Sequence, residues 1–187
     1  HSWAVGVPVL YTSLNAPAPG FTPFEGVPRI VENQPPLELS ALPRAEGAFQ
    51  GRTDELKAIG EKLTGDSRPR LLTLHGAGGQ GKTALAREAA GRFAFAWPGG
   101  VWAISLENLP SRVDFVKRLA DFLGVEAQPE QLEARLLGRL NAPGALRTLI
   151  VLDNAETLVE RITAEDTAAR NLAAFIREQL PGPTVSL

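Results

Sequence analysis

Apolar residues fall along this chain in two alternating spacings. Three short runs, Arg70–His75 (RLLTLH), Val101–Leu106 (VWAISL) and Thr148–Leu152 (TLIVL), have the length and side-chain make-up of buried strands. Between them, apolar positions recur every three or four residues, the spacing of one helical face. Leu56, Ile59 and Leu63 share such a face, with Thr53 or Asp54 placed to cap it. A second helix is predicted from Lys82 to about Phe95, closed by Trp97-Pro98-Gly99-Gly100. Val113, Val116, Leu119, Ala120 and Leu123 mark a third, stopped at Gly124. Pro129 opens a fourth, with Leu132, Leu136, Leu137 and Leu140 apolar, and a fifth covers about Asp166 to Leu180. Pro181-Gly182-Pro183 then leads into Thr184–Leu187, which reads as the first residues of a fourth strand, cut short. Apolar strands alternating with amphipathic helices predict an α/β fold, a three-layer sandwich around a parallel sheet.

The first quarter of the chain breaks this rhythm. Residues 3–12 (WAVGVPVLYT) read as one isolated strand. From Asn15 to Glu46 there are seven prolines, each of which fixes φ and removes a backbone donor. That stretch reads as an extended linker, or alternatively as an ordered arm wrapped on the domain. The expected organisation is therefore 1–14 as the remnant of an upstream domain, 15–46 as linker, and 47–187 as the α/β core.

Composition narrows the class. The 187 residues are 44% hydrophobic and 21% charged with a formal charge of −2, so no broad basic surface is implied and nucleic acid is not an expected partner. With no cysteine, a disulfide framework and a thiolate metal site are both excluded. No run reaches the roughly 18 apolar residues of a membrane span, and the opening lacks a signal peptide's basic start. A cytoplasmic protein is the expectation.

The chemistry is concentrated after the first buried strand. Gly76-Ala77-Gly78-Gly79-Gln80-Gly81-Lys82-Thr83 fits G-x-x-x-x-G-K-[ST] without a mismatch. A triphosphate needs several donors converging on its β- and γ-oxygens, and glycines let backbone N–H groups face inward with no Cβ in the way. The helix starting near Lys82 adds free N–H groups and the positive end of its dipole. Lys82 brings a full charge to the phosphates, and the Thr83 hydroxyl can ligate Mg²⁺. This is a phosphate-binding loop, and the fold it implies is that of a P-loop NTPase.

A second element should supply a carboxylate for the magnesium. The run Leu149–Leu152 ends in Asp153, and parallel strands deliver their carboxyl ends to one sheet edge, which places Asp153 beside the loop as metal ligand and, with Lys82, as a catalytic residue. Asn154 follows, and an amide cannot take a proton as a general base. Glu156 stands two residues on, either as the base or as a solvated residue of a helix start. The expected consequence is slow hydrolysis.

Three features together resemble the STAND class of signal-transducing ATPases, which includes the NB-ARC and NACHT groups. One is Phe49-Gln50-Gly51-Arg52 with Asp54-Glu55-Leu56, similar to the class's h-x-G-R-x-x-E-L lead-in motif. The others are the double-glycine loop His75–Thr83 and Leu149–Glu156, similar to the Leu-Asp-Asn-x-Glu version of bacterial members. The resemblance implies that backbone around Phe49, Gly51 and Arg52 lies against the adenine of ATP or ADP. Phe49 read by itself is equally a hydrophobic staple for the next helix. The resemblance also implies a regulatory switch in signalling or defence that homo-oligomerises in its ATP state. Trp3–Tyr11 is similar to the last strand of the caspase-like CHAT domains often fused ahead of such ATPases. In this branch of P-loop proteins the strand after the metal-binding strand lies between it and the loop's own strand. Thr184–Leu187 would then begin the central strand, and the isolated piece would be marginal or aggregation-prone. Two other readings stay open: a stand-alone small-molecule kinase, and a non-catalytic module that keeps ADP as a rigid cofactor.

Overall fold

A computed structural model of the chain describes residues 35–44, 49–65, 69 and 71–180, and the backbone of 185–186. The chain divides into two units, residues 1–33 and 34–187. The first unit lies outside the described residues, and with it the strand expected at 3–12 and most of the proline-rich stretch.

The second unit is built on four parallel strands in sheet order β1-β2-β3-β4: β1 Leu37–Glu38, β2 Gly100–Ser105, β3 Thr148–Asp153 and β4 Val185–Ser186. β2 and β3 form the centre, in register from Gly100↔Thr148 to Ser105↔Asp153. Gly100 opens β2 at φ 108°, where a Cβ would meet the Phe122 ring at 2.7 Å and the Pro36 carbonyl at 2.9 Å. Only glycine fits that start.

Alternation along the two central strands sorts side chains into two cores. Trp102, Ile104 and Ile150 face one layer, packed with Phe115, Val116 and Leu119 of α3 (Arg112–Phe122) and with Leu136 and Leu140 of α4 (Pro129–Leu140). The same layer takes Leu158 of α5 (Ala155–Thr163), Leu172 of α6 (Thr167–Ala174), and Phe175 of the π-helical turn Phe175–Gln179. Val101, Ala103 and Leu149 face the other layer, against Leu56, Ile59 and Leu63 of α1 (Thr53–Thr64) and Leu85, Ala89 and Ala90 of α2 (Lys82–Arg92). Each large apolar side chain so buried contributes about 1.5–3 kcal/mol. The expected α/β three-layer arrangement is present.

Several elements differ from the sequence expectation. Leu71–His75 is not a strand. β4 lies beside β3, where the central strand was expected, but pairs only with Thr148 and Leu149. Beyond that pair, a cavity of about 200 Å³ is lined by Leu71–Leu74 on one side and Leu149–Glu156 on another. Among the described residues no strand pairs with this segment, and without a ladder its apolar sequence does not become a strand. The helix expected through Phe95 ends at Arg92 and continues as a 3₁₀ turn, Ala94–Ala96. The helix expected over 166–180 is α6 plus the π-turn. α5 was not assigned from sequence beyond a helix start at Glu156. In α3, Phe115 takes the buried place and Val113 is 75% exposed. Leu37–Leu42, at the end of the expected linker, belongs to the core unit: β1 pairs with β2, Leu39 and Leu42 are buried, and Arg87 of α2 donates to both of their carbonyls.

Candidate functional site

The carboxyl ends of β2 and β3 open on one edge of the sheet, and the glycine loop meets them there. Residues 71–77 are irregular, Gly78–Gly79 turns, and α2 begins at Lys82. Gly79 and Gly81 both sit at positive φ, 74° and 72°, which a side chain would resist. Gly81 caps α2 without a side-chain bond, and the first turn holds no acidic residue. The N-terminal N–H groups of this helix therefore stay free and electropositive.

The loop is held in shape by its own side chains. Lys82 Nζ donates to the Gly76 carbonyl at 2.9 Å and the Ala77 carbonyl at 3.1 Å, which folds the ammonium over the loop. Gln80 Oε1 accepts from the Ala77 N–H at 3.0 Å. From outside, Arg52 Nη1 donates to the Gln80 carbonyl at 2.8 Å, while its Nε donates to Glu55 Oε1 at 3.1 Å. Arg52 is itself left-handed, φ 51° and ψ 32°, following Gly51 at φ 73°. The Glu55 carboxyl lies below its usual range, first through its own backbone N–H and then through Arg52.

Thr83 Oγ1 donates to Asp153 Oδ1 at 2.9 Å across 70 residues of sequence. The two residues that sequence assigned to one metal are thus in direct contact. Both present hard oxygen atoms, a donor set suited to Mg²⁺, which takes its remaining oxygens from phosphate and water. Among the described residues no group of three or more His, Asp and Glu could hold a metal without such help. Lys82, Asp153, Asn154 and Glu156 line the same 200 Å³ cavity. Asn154 is left-handed at φ 56° and donates through Nδ2 to Ser105 Oγ at 3.2 Å. Glu156 is exposed in the first turn of α5. Phe49 is half-buried and packs on the core that holds Leu56 and Leu85.

Two participants were missed by sequence reasoning. Ser105 is the partner of Asn154, and its one signal was a polar residue closing an apolar strand. The tie from Arg52 to the Gln80 carbonyl had no sequence signal, because it joins residues 28 apart through a backbone atom.

A family model described as an AAA domain matches residues 65–181. The chain belongs to this family. AAA domains of this type are P-loop NTPases, which agrees with a nucleotide-binding loop at Gly76–Thr83; Phe49–Arg52 precedes the matched region. The chain is 32% identical over 123 residues to an uncharacterized WD repeat-containing protein of Nostoc sp., covering 60% of this chain and 10% of that protein. It is also 32% identical over 147 residues to an uncharacterized protein of Mycobacterium tuberculosis, covering 78% of this chain and 34% of that protein. The AAA chain thus spans about a tenth and about a third of these curated relatives. No solved structure matches it. Among the described residues, no helix is long and apolar enough to cross a membrane.

Proposed function

We propose that this AAA domain is the ATP-binding, slowly hydrolysing switch module of a STAND-type signalling or defence protein of the cytoplasm. The observation that carries the reading is the 2.9 Å contact between Thr83 and Asp153, made beside the glycine loop that opens α2. In this reading the backbone from Gly76 to Thr83 and the Lys82 ammonium hold the β- and γ-phosphates. Thr83 and Asp153 hold Mg²⁺, which neutralises charge on the phosphate oxygens when bound. Phe49, Gly51 and Arg52 border the adenine.

Slow turnover follows from the residue after Asp153. Asn154 accepts no proton, and its amide is turned to Ser105. Glu156, exposed on α5, is the remaining carboxylate able to orient water. A chain that spans a tenth of a WD repeat-containing relative suits a module inside a larger assembly, with homo-oligomerisation in the ATP state as the output. A CHAT-type domain ahead of it rests on Trp3–Tyr11 alone.

Releasing bound nucleotide from the denatured intact protein is the first test. Tightly held ADP, single-turnover hydrolysis slower than about one per minute, and ATP-dependent oligomers support the switch. An empty site that turns over with an added small-molecule acceptor makes it a kinase. ADP held with neither hydrolysis nor oligomerisation makes it a structural module. Rapid hydrolysis lost in Glu156→Gln would establish an efficient base and overturn the slow-switch reading.

A further inference from the structure

One tie on the loop comes from outside it. Arg52 sits at the start of α1, yet its guanidinium reaches the Gln80 carbonyl at 2.8 Å. A Cβ built on Gly81 would lie 3.8 Å from the same nitrogen, so Arg52 covers the back of the Gln80–Gly81 peptide. In a trans peptide the carbonyl and the following N–H point in opposite directions. Anchoring the Gln80 oxygen outward therefore turns the Gly81 N–H the other way.

We propose that Arg52 is a positioning residue of the phosphate loop: through the Gln80 carbonyl it aims the Gly81 N–H at the bound phosphate, and Glu55 sets the plane of its guanidinium. The proposal rests on the nucleotide-binding reading above. Two further observations support it. Arg52 adopts φ 51°, a left-handed conformation that a non-glycine residue resists, and such strain persists where the surroundings fix it. The guanidinium also spends two nitrogens on two acceptors, Glu55 and Gln80, in the fixed fork geometry that arginine alone provides. Because Arg52 closes the Phe49–Arg52 segment, it joins that segment to the phosphate loop by one side chain.

The test titrates ADP, and separately pyrophosphate, into the intact protein carrying Arg52→Ala, Arg52→Lys or Glu55→Gln, with Lys82→Ala as reference. Arg52→Ala should weaken both ligands by about tenfold, the scale of one hydrogen bond to a charged donor. Arg52→Lys keeps the charge but not the fork, so it should recover less than a third of that loss. Glu55→Gln should weaken both ligands by about two- to threefold without changing any charge near the phosphates of opposite sign to them. Full recovery in Arg52→Lys would overturn the proposal in favour of plain charge attraction. Loss for ADP with pyrophosphate unchanged would overturn it in favour of a base contact. If Arg52→Ala does not fold, the lysine and glutamine variants carry the same comparison. Failure of the underlying reading is separate: Lys82→Ala would then leave ADP and pyrophosphate binding at wild-type strength.

Discussion

Replacing Thr83 by alanine, Asp153 by asparagine, and both together asks whether hydroxyl and carboxylate act as one unit. The two side chains are joined at 2.9 Å, and both residues are half-buried. A hydrogen bond to a charged group contributes about 1.5–3 kcal/mol, and water reaching this half-open pair lowers that to about 1 kcal/mol. Each single variant should therefore lose only about 1 kcal/mol of unfolding stability. The larger effect falls on magnesium. The ion needs hard oxygens in near-octahedral array, and the chain offers it two at this point.

Removing the Thr83 hydroxyl or neutralising the Asp153 carboxylate should cut the magnesium-dependent gain in ADP affinity by about tenfold, equivalent to about 1.4 kcal/mol. The assay is ADP titration of the intact protein in magnesium and in EDTA, with the ratio of the two dissociation constants compared across variants. The double variant should fall well short of a hundredfold, because losing either ligand already loosens the ion for both. An unchanged ratio in both single variants would refute the assignment. So would clean multiplication of the two losses, which describes independent sites.

Other perturbations follow from contacts elsewhere in the structure. Gln80 Oε1 occupies the Ala77 N–H that a phosphate oxygen would use, so Gln80→Ala should tighten pyrophosphate binding about two- to fivefold; weaker binding shows that the side chain helps the ligand instead. Phe115 is fully buried, with ring centroids 5.3 Å from Trp102 and 6.2 Å from Phe175, and Phe115→Ala should cost about 3–5 kcal/mol in denaturant titration. Gly99→Ala should cost about 1–3 kcal/mol by the same measurement, since its Cβ would lie 2.6 Å from the Leu146 carbonyl; a neutral result would show that the loop gives way freely. Glu55 should titrate below 4.5 by side-chain NMR and move up toward that value in Arg52→Ala, a midpoint at or above 4.5 in the wild type being the contrary result. For such a depressed carboxyl, the stabilising contribution is complete above 4.5 and lost as pH falls through the lowered value.

The parts of the fold that were legible in sequence are those whose pattern is local. β2 and β3 are short runs with no room for a helix, and their apolar character matches burial on both faces. The loop was legible because each residue type answers a steric or charge requirement of a polyphosphate. α5 escaped because its one buried residue, Leu158, makes too narrow a stripe to be counted beside the long periodic helices. Val113 was placed inside because valine fits the helical spacing, although Phe115 points into the core and Val113 into water. Leu37–Leu42 was hidden by its proline neighbours. Prolines are tolerated at a sheet edge, and a two-residue pairing with β2 is enough to join one.

Leu71–His75 is the instructive failure. Its composition is that of a buried strand, yet a strand is a relation between two segments, and composition describes only one of them. Hydrogen bonds of a ladder come from a neighbour that can lie anywhere in the sequence. The loop that follows does not depend on that ladder for its place. It is tied to β3 by Thr83 and Asp153, to α1 by Arg52, and to itself by Lys82 and Gln80. Behind it, Leu85 and Ala89 of α2 pack in the same core as Leu149. Gln80, Lys82 and Thr83 stand at fixed spacing from the glycines, while Asp153 and Arg52 reach them through the fold. The candidate site is therefore assembled even where the strand expected to lead into it is not.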